Sequence, residues 1–319
     1  MGAAIGDYDA DGDLDWFVTS IWDPDGVSEG NWGVTGNRLY RNDGQGRFED
    51  VTDEAGVRIG FWGWGACFAD FDNDGHLDLY HVNGIQMAGP PFDTDPARLY
   101  LGNGDGSFRE VGESRGVADR GNGRGLVCFD ADQDGDIDLF VANSRGSPRF
   151  YRNEGGNRNS WLSIRVAGPA GNSDAIGAWI EVRTPDGRQQ LREIRAGSNF
   201  VSNNPPEAHF GLGRGRAAVS VWVRWPDGTR QRFKDVSRNQ RILFAYPGPR
   251  PEAHGPAGRH RQHPGARDGS PRRHPMASES HRHAVTDGAP GVESTRSEPG
   301  EYRAPPRGPR RWARTGDCP

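Results

Sequence analysis

Short runs in which apolar and polar residues alternate, separated by Gly/Asn/Asp turns, fill most of the chain, and long helical periodicity is scarce. In the first half, three segments align without gaps: Gly2-Ala-Ala-Ile-Gly-Asp7, Gly65-Ala-Cys-Phe-Ala-Asp70 and Gly125-Leu-Val-Cys-Phe-Asp130. Each passes through an Asp-rich loop into a second apolar run that begins at Trp16, Leu79 or Leu139. A further block follows, Arg38-Leu-Tyr-Arg-Asn-Asp-Gly-Gln-Gly-Arg-Phe48 in the first repeat and Arg98-Leu-Tyr-Leu-Gly-Asn-Gly-Asp-Gly-Ser-Phe108 in the second. Arg149-Phe-Tyr-Arg-Asn-Glu-Gly155 begins the same way and then departs. The loops start at 7, 70 and 130, a period of 63 and then 60 residues.

Each period predicts four short strands, near 64–69, 78–83, 98–101 and 107–111 in the second repeat, with Asn103-Gly-Asp-Gly106 as a hairpin turn. Four strands per repeat is the content of a β-propeller blade, whose faces are buried by radial stacking. Propellers usually need about four blades or more, and fewer than three complete ones are visible here. Gly63/Gly65 and Gly123/Gly125 precede the later loops, whereas only Gly2 precedes the first. The expectation is a partial propeller over 1–156, truncated at its N-terminus, with a signal peptide and earlier blades missing. The alternative is an open three-blade fragment that self-associates through the missing blades.

From 157 the pattern changes. Trp161-Leu-Ser-Ile-Arg-Val166, Ala178-Trp-Ile-Glu-Val-Arg183, Gln190-Leu-Arg-Glu-Ile-Arg195 and Val219-Ser-Val-Trp-Val-Arg-Trp225 alternate with period two, as half-buried antiparallel strands do. Pro185-Asp-Gly187 and Pro226-Asp-Gly228 supply hairpin turns. Residues 157–247 thus read as a separate small β-sandwich-like domain, and the fold class as all-β. Residues 248–319 are rich in Pro, Gly, Arg and His without apolar periodicity, so they read as a disordered low-complexity tail. Lys234 is the single lysine against 38 arginines, which points to GC-rich coding and leaves open whether the tail is an out-of-frame read-through.

Charge is divided unevenly. Residues 1–156 hold 29 Asp+Glu and 12 Arg, whereas 157–249 hold 7 acids and 14 bases. An acidic N-terminal block suits a cation and repels nucleic acid. Cys67, Cys128 and Cys318 show no zinc-type spacing, and Cys67 and Cys128 sit in apolar runs, so buried free thiols rather than a disulfide framework are expected. No run of 18 apolar residues predicts a membrane span, and the first residues lack the charged start and apolar core of a signal peptide.

The loops carry the candidate chemistry. They contain Asp7, Asp9, Asp11, Asp13 and Asp15; Asp70, Asp72, Asp74, His76 and Asp78; and Asp130, Asp132, Asp134, Asp136 and Asp138. Carboxylates recur at loop positions 1, 3, 5 and 9, with Gly12, Gly75 and Gly135 at position 6. Ca²⁺ takes six to eight oxygens at roughly 2.3–2.6 Å and tolerates irregular geometry. The glycine permits a sharp turn that brings the carbonyl of position 7 to the ion, and the last Asp closes the cage. An EF-hand would need Glu at position 12 between helices; Val18, His81 and Val141 stand there instead. The expectation is about one Ca²⁺ per loop. Mg²⁺ fits worse because it demands compact octahedral geometry.

These repeats resemble FG-GAP/VCBS repeats, the calcium-loop blades of integrin α-subunit propellers and of many secreted bacterial proteins. Asn159-Ser-Trp-Leu162, Asp174-Ala-Ile-Gly-Ala178, Arg192-Glu-Ile-Arg-Ala-Gly-Ser198, His209-Phe-Gly-Leu-Gly213 and Val223-Arg-Trp-Pro-Asp-Gly228 resemble the ASPIC/UnbV domain. The resemblance implies an exported, extracytoplasmic protein (secreted, periplasmic or on the cell surface) that binds an extracellular protein or glycan ligand. The leading function is therefore a calcium-binding, non-enzymatic binding or adhesion module. A polysaccharide-acting enzyme on a calcium-stabilised scaffold and an accessory scaffold of an exported complex are the alternatives. No catalytic cluster assembles from the sequence: Ser198 and Ser202 near His209 lack a nucleophile elbow, and Gly211-x-Gly213-x-Gly215 lacks a strand-to-helix setting. His81 and His209 read as structural, and Phe61, Trp62 and Trp64 as packing between blades.

Overall fold

A computed structural model describes residues 1–23, 35–85, 91–215, 217–248 and the backbone of 310–311. Each sequence repeat folds as an antiparallel meander. The first is β1 (Ala3–Gly6), β2 (Asp15–Val18), β3 (Arg38–Asn42) and β4 (Phe48–Asp50). The second is β5 (Gly63–Ala69), β6 (Asp78–Asn83), β7 (Arg98–Gly102) and β8 (Phe108–Glu110), each strand end within one residue of its predicted place. The third contains β9 (Gly123–Phe129), β10 (Asp138–Asn143) and β11 (Arg149–Arg152). Single-turn helices α1 (Thr52–Ala55) and α2 (Gly112–Arg115), which the strand pattern did not anticipate, follow β4 and β8.

Apolar cores lie between the sheets. Ala4, Phe17 and Leu39 of the first sheet meet Ala66, Leu79 and Tyr100 of the second. On the other side of the second sheet, Tyr80, Val82 and Leu99 meet Leu126, Leu139 and Val141 of the third. All six residues of β6 are therefore buried, including the polar Asp78, His81 and Asn83, which are satisfied by hydrogen bonds. The leading strands run close together, β1 against β5 and β5 against β9. The aligned repeat glycines permit this: a Cβ on Gly65 would lie 2.8 Å from the carbonyl oxygen of Arg124, and one on Gly2 would strike that of Trp64. Trp64 itself bridges, with Arg124 stacked 3.9 Å above its ring and Phe200 5.1 Å away, while Phe61 and Trp62 set their edges against Phe92.

One expectation is overturned in this region. Cys67 and Cys128 are joined in a disulfide that ties β5 to β9. The two are not equivalent in the repeat: Cys67 stands three residues before its loop and Cys128 two. Side chains alternate between faces along a strand, so one cysteine looks forward to the next sheet and the other back toward the preceding one.

Seven further strands follow: β12 (Ser160–Ala167), β13 (Trp179–Arg183), β14 (Gln189–Glu193), β15 (Ala208–Gly213), β16 (Val219–Arg224), β17 (Arg230–Val236) and β18 (Gln240–Ala245). They form sheets of order β15-β12-β18 and β14-β13-β16-β17. Between them lies one core that includes Leu162, Ile164, Ile180, Val182, Phe210 and Val221. A last strand, β19 (Arg310–Arg311), adds to β11 in parallel. The described fold is thus all-β, a propeller-type body of five blade-like sheets. Met1–Gly248 fall within a single compact unit, so no separate small β-sandwich-like domain is set apart. The anticipated tail, 248–319, lies outside the described residues apart from Gly248 and the backbone of 310–311.

Replacing Cys67 with Ser should lower stability by about 2–4 kcal/mol, because the cross-link no longer restrains the unfolded chain. Denaturant unfolding measures the loss. Recovery of an unlinked Cys67 peptide from a non-reducing digest of the native protein would contradict the bridge.

Candidate metal centre

The three Asp-rich loops adopt one conformation. Position 4 is left-handed in each although it is not glycine, at Ala10, Asn73 and Gln133 (φ 61°, 55° and 64°), and position 6 is left-handed at Gly12, Gly75 and Gly135 (φ 98°, 99° and 98°). The two reversals fold positions 1, 3 and 9 toward one another. Asp7, Asp9 and Asp15 each bring a carboxylate oxygen to within 4.8 Å of the others, and so do Asp70, Asp72 and Asp78, and Asp130, Asp132 and Asp138.

Position 9 is the anchor. Asp78 accepts hydrogen bonds from the backbone N–H of Phe71 and Gly102, Asp15 from Tyr8 and Asn42, and Asp138 from Ala131 and Asn153. One bond closes the loop and the other pins it to the third strand of its sheet. Position 5 is turned elsewhere: Asp11, Asp74 and Asp134 accept the N–H of their own position 7. At position 7, Asp13 and His76 lie against Gly44 and Gly104 in the next hairpin turn, and Asp136 accepts the N–H of Asn157. The structure therefore gathers positions 1, 3 and 9 of each loop, and leaves the side chains of positions 5 and 7 outside that trio.

Clustering carries an electrostatic cost. Two carboxylates about 4 Å apart repel by roughly 4 kcal/mol at an effective dielectric near 20. Burial, then the neighbouring aspartates, push these groups up: Asp7 to about 6, Asp15 to about 7 and Asp138 to about 6, with backbone N–H groups opposing. Asp70 and Asp78 are raised well above the usual range by burial first and by their loop neighbours second. Asp7 Oδ2 and Asp9 Oδ1 are buried without a hydrogen-bond partner. Hard, oxygen-only donors with unsatisfied lone pairs fit a hard divalent cation.

The loops differ in what already neutralises them. Arg152 reaches Asp132 at 2.7 Å and Asp134 at 3.9 Å in the third loop, where Asp132 is exposed. Arg41, its counterpart in the first repeat, is drawn to Glu49 instead, and the second repeat has Leu101 there. The second loop is the most buried and has no such arginine. Neither arginine stood out in the sequence, because each lies on a later strand, 26 residues past the end of its loop for Arg41 and 14 residues for Arg152.

The second loop is also where the C-terminal strands dock. His209 Nε2 donates to Asn73 Oδ1 at 2.7 Å, Gly213 N–H to the Asn73 carbonyl at 2.9 Å, Asn159 to the Asp72 carbonyl at 2.9 Å, and Arg188 to that of Asp74. Any Cβ on Gly211 would collide with Asp70 Oδ2. Burial pushes the His209 imidazole down to about 3, so it is neutral. His81, also about 3 through burial, is held by Asn83 and Asn37. Neither serine near His209 is paired with it: Ser198 accepts from Asn204 N–H, and Ser202 donates to the Leu126 carbonyl.

The FG-GAP-like repeat model matches residues 7–81 and 88–141, and the ASPIC and UnbV model matches 168–251. Over 249 residues the chain is 30% identical to cartilage acidic protein 1 of Homo sapiens, and likewise to that of Mus musculus. These alignments cover 75% of this chain and 34% of each relative, so the chain spans about a third of the proteins it matches. The Xenopus tropicalis protein of the same name is 28% identical over 248 residues, 71% of this chain and 34% of its own length.

The raised carboxylates set a pH dependence for the metal-free protein. A folded pKa above the unfolded value of about 3.9 favours the folded state most at low pH, and that contribution is lost as pH rises through the folded value. In EDTA the melting temperature should fall between about pH 4 and pH 7, from the unfolded value up to the folded values of Asp7, Asp15 and Asp138. Scanning calorimetry across that range checks it; a melting temperature that climbs instead would show that the trios are not protonated on folding.

Proposed function

This chain carries FG-GAP-like repeats and an ASPIC and UnbV domain and is a distant relative of cartilage acidic protein 1, and on that premise we propose a calcium-binding, non-enzymatic, extracytoplasmic binding module. The observation that carries the calcium reading is the threefold gathering of buried carboxylates at positions 1, 3 and 9. Asp7, Asp9 and Asp15, Asp70, Asp72 and Asp78, and Asp130, Asp132 and Asp138 hold one Ca²⁺ per loop. Asp11, Asp74 and Asp134 complete the oxygen shell, as do the backbone carbonyls of Asp13, His76 and Asp136. Bound there, a divalent ion supplies the positive charge that the trios lack and joins the two ends of each β hairpin.

The loops rank by what competes for them. The second binds most tightly, because burial removes water from Asp70 and Asp78 and, among the described residues, no arginine forms an ion pair with them, although the buried Arg192 acts on Asp70 and Asp7 from a distance. The third binds least tightly, because Arg152 must give up Asp132 first. Within the five-sheet body, 1–156 act as the calcium-binding blades and 157–247 as a β-sandwich-like unit wrapped on its own core. The disulfide supports placement outside the cytoplasm, since such bridges persist in oxidising compartments. In that setting the module meets a protein or glycan ligand.

Thermal unfolding in EDTA, followed by adding back Ca²⁺ or Mg²⁺, tests the reading. Ca²⁺ should raise the melting temperature far more than Mg²⁺ at equal concentration. Asp72→Asn removes one charge and keeps the oxygen that accepts Asp74 N–H. It should match or exceed the parent in EDTA and lose most of the second-loop gain in Ca²⁺. A folded protein indifferent to both ions and chelator would reduce the loops to acidic turns.

A further inference from the structure

The outward face of the β14-β13-β16-β17 sheet carries a pattern that the calcium loops do not explain. Ile180, Val182, Val221 and Val223 point into the core. Their neighbours along each strand therefore point out. Register places Trp179 opposite Arg224 and Glu181 opposite Trp222, with Trp222 opposite Arg232 and Arg224 opposite Arg230. Lys234 is two residues beyond Arg232 on the same strand face. Arg183, Arg224, Arg230, Arg232 and Lys234 are all exposed. Against these five cations the face offers Glu181 and Glu193: Glu193 is held by Arg195, and Glu181 holds Arg183, which must leave it to take another anion.

The two tryptophans hold the arginines in place. Arg224 lies 4.3 Å from the centre of the Trp179 ring, while Arg183 and Arg232 lie 4.8 Å and 4.6 Å from that of Trp222. A stacked guanidinium keeps its planar fork of donors turned outward and loses little freedom when it meets an anion. Neighbouring strands are about 4.8 Å apart, so the rows present cations across an extended surface. The fork geometry suits planar or tetrahedral oxyanions such as carboxylate, sulfate and phosphate.

We propose that this sheet face binds a linear acidic polysaccharide, whose carboxylate or sulfate groups are taken by Arg183, Arg224 and Arg232 stacked on Trp222 and Trp179, with Arg230 and Lys234 at the edge. The assignment rests on the binding-module reading and names its ligand class. A nucleic acid offers the same charge; the assignment goes to a glycan because that is the polyanion an extracytoplasmic module meets.

The test uses the full chain in Ca²⁺, passed over immobilised heparin and titrated with a heparin octasaccharide, hyaluronan, neutral dextran and a 20-nucleotide single-stranded DNA. Retention on heparin and no binding of dextran are expected, with affinity falling steeply as salt rises. The Arg183→Gln/Arg232→Gln pair should weaken the octasaccharide by roughly ten- to hundred-fold, as loss of charge-assisted bonds does. The same pair should reduce the salt slope by about one per contact removed. Should that pair fail to fold, Arg230→Gln/Lys234→Gln on the edge strand makes the same measurement with a smaller expected loss. The Ca²⁺-induced melting shift, read on each sample without glycan, separates failure of the calcium sites from failure of this face. No retention of the folded, calcium-loaded protein by heparin or hyaluronan would overturn the proposal, as would unchanged affinity in a folded variant. DNA bound as tightly as the octasaccharide would overturn the glycan assignment.

Discussion

Everything in the blade region depends on the mutual repulsion of three carboxylates that each first hairpin must bring together. The chain cannot avoid the approach: the position-9 aspartate is the buckle that binds both the start of the loop and the third strand, as Asp78 does with Phe71 and Gly102. Removing it would release two backbone donors. Keeping it places a buried charge beside Asp70 and Asp72. At roughly 4 kcal/mol per close pair, the repulsion rivals the whole stability of an ordinary domain once three loops are counted. Protonation relieves it at low pH and a divalent ion relieves it at neutral pH. The same geometry therefore explains both the raised carboxylates and the fit to calcium.

Much of this was legible in the chain because the relevant signals are local. Loop position 6 needs a left-handed backbone, and Gly12, Gly75 and Gly135 announce it. Strand bounds in the second repeat followed from apolar runs and from Asn-Gly turns. Position 4 was not legible: Ala10, Asn73 and Gln133 share a left-handed φ with no shared residue type. The division of labour within the loop was hidden too. Positions 3 and 5 are both aspartate in each loop, and both can accept a loop N–H, as Asp72 and Asp74 do, yet only position 3 joins the trio. Sequence spacing cannot separate a carboxylate that faces the centre from one that caps a turn.

What the sequence concealed altogether is non-local. The Cys67–Cys128 bridge spans 61 residues and depends on face parity between two stacked strands, information that an alignment of repeats by loop position discards. Arg152 beside Asp132 is a similar case, since it is brought to the loop only by strand pairing. The five-sheet body adds a third. Period-two alternation identified β12, β13, β14 and β16 but not β15, β17 or β18, and alternation says nothing about whether the resulting sheets stand apart from the blades or dock on them.

That docking gives the C-terminal motif a physical meaning. In sequence, His209-Phe-Gly-Leu-Gly213 carried only the resemblance to the ASPIC/UnbV domain, and its glycines lacked the setting of a nucleotide loop. In the fold, β15 runs past the second Asp loop so closely that position 211 can carry no side chain, while His209 and Gly213 bond to the two polar groups of Asn73. Asn159 and Arg188 take the carbonyls on either side of that residue. The loop is thus held by its carboxylates from within and by C-terminal donors from without, all of the latter on its backbone or on Asn73. None of these donors engages Asp70, Asp72 or Asp78, whose oxygens stay available to a cation. A motif placed in the C-terminal half thereby shapes the backbone of a site in the N-terminal half without taking up its carboxylate oxygens. It is this arrangement that couples the two halves of the chain: whatever orders the second loop also orders the surface on which β15 rests.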